Sequence, residues 1–174
     1  MKIAVYGAYG YQGKLVVAEL TRRGIDAVLV GRDPARLQSV GAVGAASVDR
    51  RVADTDDHDR LVAAFRGADA VINCAGPFII SGVAVIRAAV AAGCQYVDTA
   101  GEQLYLKQVF DTFGSAAGVT IVPGANDDCL PSDLIAAPTP AMMPASNCPA
   151  LNFGITYASR MAPALPSGIV PSRP

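Results

Sequence analysis

Gly7, Gly10 and Gly13 lie in the run Gly7-Ala8-Tyr9-Gly10-Tyr11-Gln12-Gly13, directly after an apolar stretch and directly before a helical pattern. That context gives the spacing its chemistry, which is the holding of a pyrophosphate. The first glycine permits a tight turn, the second lets backbone approach the phosphates, and the third lets helix and strand pack closely. Backbone N–H groups and the dipole at the helix start attract the anion. A second group of residues, Val30-Gly31-Arg32-Asp33, ends the next apolar run. An acid at this point pairs with a ribose 2′-hydroxyl and marks NAD, whereas an arginine accommodates a 2′-phosphate. Arg32 offers a planar fork of donors and points to NADP, with NAD as the alternative. Asp33 could reach the ribose or cap the following helix. A third patch, Asn73-Cys74-Ala75-Gly76-Pro77-Phe78, follows another apolar run. Its Gly76-Pro77 turn is poor in side chains and could lie against the nicotinamide half of a dinucleotide, or be a plain turn.

Acid–base candidates stand at later strand ends: Asp98 and Glu102, then Asp127, Asp128 and Asp133. Carboxylates in a cleft can have tuned proton affinities, but Glu102 and Asp133 also fit helix caps. His58, in Asp56-Asp57-His58-Asp59, reads as a solvated residue in a helical first turn. No serine sits in a G-x-S-x-G elbow. No tyrosine has a lysine four residues on; Lys107 is two past Tyr105. Cys74, Cys94, Cys129 and Cys148 form no C-x-x-C pair, and one histidine is too few for the usual zinc sets, so no metal is expected. No catalytic residue is assigned from these patterns.

The elements that must position these groups alternate along the chain. Strands are expected at residues 2–6, 26–30, 70–73, 95–98 and 119–122, with a further one at either 45–48 or 52–54. Helices are expected at 12–23, 34–40, 56–65, 81–92 and 102–117, several closed by glycine. Continuous apolar strands separated by helices predict a parallel sheet covered on both faces, the doubly wound Rossmann-type α/β architecture.

Of the 174 residues, 52% are hydrophobic and 17% charged, enough to build a core. A net charge of -1 gives no reason to expect a nucleic-acid partner or an anionic membrane surface. No apolar stretch is long enough to span a membrane, and the N-terminus runs straight into a strand without a signal-peptide layout. Unpaired thiols fit a cytoplasmic protein. Beyond about residue 136 prolines recur, and only Arg160 and Arg173 carry side-chain charge. The expected division is therefore a NAD(P)-binding domain at 1–136 and, at 137–174, an irregular tail or the stub of a missing substrate domain, with one strand at 150–157.

Taken in order, several motifs resemble the saccharopine dehydrogenase-like oxidoreductases, including the trans-acting enoyl reductases. They are the Gly7–Gly13 loop with Lys14-Leu15-Val16, Gly31-Arg32-Asp33, Asn73 to Phe78, Tyr96-Val97-Asp98 with Gly101-Glu102, Val122-Pro123-Gly124, and Pro131-Ser132-Asp133-Leu134. The resemblance covers residues 1 to about 136. It implies an NAD(P)-dependent oxidoreductase acting on a small-molecule or lipid-like substrate, whose larger C-terminal domain is absent here. Where that family has an aromatic–acid pair, this chain has Asn126-Asp127-Asp128. A rival expectation is a non-catalytic dinucleotide-binding module that senses cofactor, or that self-associates or docks a partner through surface the missing domain would cover.

Overall fold

The computed structural model describes residues 1–41, 48–114 and 118–126. Within the unit Met1–Asn126 strands and helices alternate as β1 (Lys2–Tyr6), α1 (Tyr11–Arg22), β2 (Asp26–Gly31), α2 (Pro34–Gln38), β3 (Asp49–Val52), α3 (His58–Phe65), β4 (Ala70–Asn73), α4 (Phe78–Ala91), β5 (Gln95–Asp98), α5 (Gln103–Phe113) and β6 (Ile121–Val122). The strands form one six-stranded sheet in the order β3-β2-β1-β4-β5-β6. Every pairing is parallel. The architecture is the expected doubly wound α/β sheet. After β3 the chain crosses back to the other side of β1, so the connections leaving β1 and β4 diverge and open a crevice at their carboxyl ends.

Apolar runs become central strands because both of their faces are covered. Val5, Val28, Leu29, Val30 and Val71 are fully buried, and each such side chain contributes about 1.5–3 kcal/mol of transfer free energy. Val17 and Leu20 of α1 pack on this sheet with Leu37 of α2. Gly24 and Gly93 follow α1 and α4 with positive φ, the usual helix stop.

The bounds of β1, β4 and β5 coincide with the expected ones. The third strand does not: β3 spans Asp49–Val52 and meets the 52–54 candidate only at Val52. Of the other candidate, residues 45–47 lie outside the described residues. β3 is an edge strand, and arginines take the place of apolar residues there. Arg50 donates to the carbonyl of Leu37 in the last turn of α2 and to that of Val40 past its end. Arg51 donates to those of Ala64 and Arg66 at the end of α3. Two charged side chains thus satisfy helix-terminal carbonyls that an apolar strand would leave bare. α4 begins at Phe78, ahead of the expected 81, for a reason that lies in Glu102. Asp127, Asp128, Asp133 and the 137–174 tail lie outside the described residues.

Candidate functional site

The crevice is a cleft of about 440 Å³ at the carboxyl ends of β1 to β4. Its first wall is the glycine loop. Gly7 has φ +80°, a conformation strained for any residue with a side chain, and its N–H bonds the Val30 carbonyl at 2.9 Å. A Cβ on Gly7 would also meet the Ala75 amide nitrogen at 3.0 Å. A Cβ on Gly13 would strike the Gly7 carbonyl oxygen and come within 2.8 Å of Ala8 Cα. Glycine at these two positions therefore lets the loop fold tightly under the start of α1. No side chain caps that start, and its first turn holds no acid. α2 and α3, by contrast, are capped by Asp33 and Asp57. An uncapped helix start facing a cleft fits a phosphate group.

The second wall comes from β2 and α2. Gly31, Arg32 and Arg36 line it, and Tyr9 reaches across from the glycine loop. The Tyr9 ring lies against Gly31, where a Cβ would approach it to 2.7 Å. The Arg36 guanidinium sits 4.3 Å above the same ring, a cation–π contact. Among the described residues neither Arg32 nor Arg36 is paired with a carboxylate. Two unpaired guanidiniums at one end of the cleft are the donor set a phosphate monoester requires. Asp33 does not line the cleft. Its Oδ1 accepts from the backbone N–H groups of Ala35 and Arg36 at 2.9 and 3.1 Å, so it caps α2.

The third wall is the run Cys74, Ala75, Gly76 and Pro77, with Ile80 and Ser81 behind it. The Gly76–Pro77 peptide bond is cis. Asn73 is fully buried beneath this run and outside the cleft. Its Oδ1 accepts from the Ala75 N–H, and its Nδ2 donates to the Tyr96 hydroxyl at 3.0 Å. That hydroxyl donates to Asp98 Oδ2, as does Tyr105 at 2.6 Å. Asp98 Oδ1 accepts from the N–H groups of Ala100 and Gly124. Asp98 is thus a fully buried, fully engaged carboxylate. Burial, reinforced by the Asp98 charge, raises both the Tyr96 and the Tyr105 hydroxyl well above the ordinary phenol range. Burial likewise pushes the Cys74 thiol up to about 11, which leaves it a poor nucleophile.

The cleft gathers Gly7, Tyr9, Gly10, Arg32, Cys74, Ala75, Gly76 and Pro77. Ala8 is buried, and Tyr11 and Gln12 are exposed. Gln12 accepts a hydrogen bond from Thr99 at 2.8 Å, joining the start of α1 to the loop after β5. The cleft also takes in Gly31 of the second motif, and it brings in Tyr6, Arg36, Asp54, Thr55, Ile80 and Ser81, which the sequence patterns did not single out. Burial, with the nearby Asp54 charge, pushes the Tyr6 hydroxyl up to about 12. His58 is exposed on α3 and away from the cleft.

Residues 3–122 match the family model described as saccharopine dehydrogenase NADP binding domain. A protein of Caenorhabditis elegans called lipid droplet localized protein is 32% identical, over 76% of this chain and 34% of its own length. A protein of Mycobacterium tuberculosis called trans-acting enoyl reductase is 31% identical over 76% of this chain and, again, 34% of its own. The chain thus spans about a third of the length of these relatives. Among solved structures, the apo saccharopine dehydrogenase (L-Glu forming) of Saccharomyces cerevisiae aligns with a TM-score of 0.62 over 78% of this chain and 30% of that one. At 16% identity that likeness speaks for the fold alone.

Proposed function

Because the chain belongs to the saccharopine dehydrogenase NADP-binding domain family and NADP is therefore its cofactor, we propose that it is the cofactor-holding part of an oxidoreductase. In this reading the pyrophosphate lies on the uncapped start of α1, beside Gly7, Gly10 and Gly13. Arg32 and Arg36 hold the 2′-phosphate. Residues 74–77 form the wall against the nicotinamide. Bound NADPH supplies a hydride at nicotinamide C4. The chain's own residues bind, orient and exclude water; no side chain of the cleft is assigned a proton-transfer role. The acceptor is a C=C, C=N or C=O group of a small or lipid-like substrate, and the name of the mycobacterial relative favours C=C. The observation that carries the reading is the meeting, in one cleft, of an uncapped helix start with two guanidiniums that pair with no carboxylate among the described residues. Its test is NADPH oxidation, followed by the absorbance of the dihydronicotinamide, with a panel of enals, imines and aldehydes. Turnover with any of them supports the proposal, and failure of the chain to bind NADPH at all contradicts it. The cytoplasmic placement belongs to the same proposal and rests on the spacing of the cysteines.

One observation favours a second reading, a non-catalytic module that binds dinucleotide and assembles with a partner or a second copy. Ile80 and Leu104 are 79% and 76% exposed and Ile79 46%, at the starts of α4 and α5, which the Glu102 hydrogen bonds hold together. Exposed apolar side chains grouped in this way mark docking surfaces. Light scattering decides it: a strictly monomeric protein that turns over NADPH contradicts this second reading.

A further inference from the structure

Glu102 stands at the start of α5 but does not cap it. Its Oε1 accepts from the Phe78 N–H at 2.8 Å and its Oε2 from the Ile79 N–H at 2.7 Å. These are the first N–H groups of α4. The N-cap residue of that helix is Pro77, whose side chain has no acceptor to offer. A carboxylate two dozen residues away therefore fixes where α4 begins. The residues on either side of the two bonded amides, Gly76 and Pro77 before them and Ile80 and Ser81 after, line the cleft. Glu102 itself does not. The same wall is tied independently from below, where Asn73 accepts from the Ala75 N–H and donates to the Tyr96 hydroxyl, which in turn donates to Asp98. Ser81 Oγ closes the turn onto the carbonyls of Ala75 and Pro77. The wall at 75–79 is therefore suspended between two anchors, the buried Asn73 at the end of β4 and the half-buried Glu102 in the loop after β5.

We infer that Glu102 is a positioning residue that sets the nicotinamide side of the cleft from outside it, without serving the adenosine side. Both of its oxygens are engaged by backbone amides, which excludes it as the free acid or base suggested by its place after β5. The inference rests on the assignment of residues 74–77 to the nicotinamide.

The test compares two ligands that share the adenosine end: NADPH, and adenosine 2′,5′-bisphosphate, which lacks the nicotinamide. Calorimetric titrations are run on wild type and on Glu102→Gln, with circular dichroism to establish that each is folded. An amide keeps one acceptor and loses the charge, so NADPH binding should weaken about tenfold. Binding of the bisphosphate should stay within about twofold, and the emission of bound dihydronicotinamide should change. If Glu102→Gln unfolds the chain, Glu102→Asp, which keeps the carboxylate one methylene short, is read in its place with the same expected pattern. A variant that loses both ligands equally, or neither, overturns the inference alone. A wild type that binds neither overturns the reading of the cleft and this inference with it.

Discussion

At the scale of single residues, the cleft turns on which charges are already engaged. Asp33 is engaged as a cap, whereas among the described residues Arg32 and Arg36 are paired with no carboxylate. Arg32→Ala should therefore weaken NADPH binding by about 1.5–3 kcal/mol and leave NADH nearly unchanged, and Arg36→Ala should act in the same direction. Titration of each variant with both cofactors checks this; equal losses for NADPH and NADH would remove the arginines from the 2′-phosphate. Asp33→Ala should cost about 1 kcal/mol in stability through the lost cap, with the NADPH to NADH preference unchanged. A changed preference would mean that Asp33 reaches the ribose after all. Arg32 was legible because it follows the last residue of a buried strand. Arg36 was not: one helical turn later on an exposed helix, it resembles any solvated arginine. Its position over the Tyr9 ring depends on Gly31 leaving room for that ring, which spacing alone does not reveal. Asp54 and Thr55 were hidden for a similar reason, since they follow the strand that the sequence placed least well.

Elements were legible where their physics is local. β1 and β4 are largely apolar runs that end at turns, and their bounds followed directly from the residue types. β3 was obscured because its identity lies in long-range bonds from Arg50 and Arg51 to the ends of α2 and α3. The start of α4 was obscured because its cap comes from Glu102. The turn from β1 into α1 belongs to the legible class, and it has no room to give. Gly13→Ala would drive a methyl into the Gly7 carbonyl and the Ala8 backbone. Overpacking of this kind should cost about 1–3 kcal/mol of stability. Because it displaces the loop at the cleft, it should also abolish NADPH binding. A denaturant titration beside a cofactor titration reads both effects; a Gly13→Ala protein that binds NADPH normally would contradict the loop's place in the site.

Across the whole molecule, the doubly wound order followed from alternating strands and helices, but the polar core beneath the cleft did not. Asn73 on β4 and Tyr105 on α5 meet Tyr96 and Asp98 of β5 only when the strands pair, with Asn73 beside Asp98 in register, and α5 brings Tyr105 onto Asp98. This core has a consequence for pH. Burial raises the Cys74 thiol from 9.0 to about 11 and the Tyr6 hydroxyl from 10.0 to about 12, with Tyr96 and Tyr105 shifted in the same direction. In the unfolded chain these groups lose protons first, so the folded state holds more protons across that interval and stability falls as pH rises. Urea midpoints should be unaffected by these groups up to about pH 8, then decline from about pH 9 to 12. A flat profile there would contradict their burial. The central claim, that one cleft holds NADP through an uncapped helix start and two arginines, is tested most directly by calorimetric titration of the chain with NADPH and then NADH. Saturable binding with NADPH clearly preferred is the predicted result. Equal affinity for the two, or binding of neither, would contradict it.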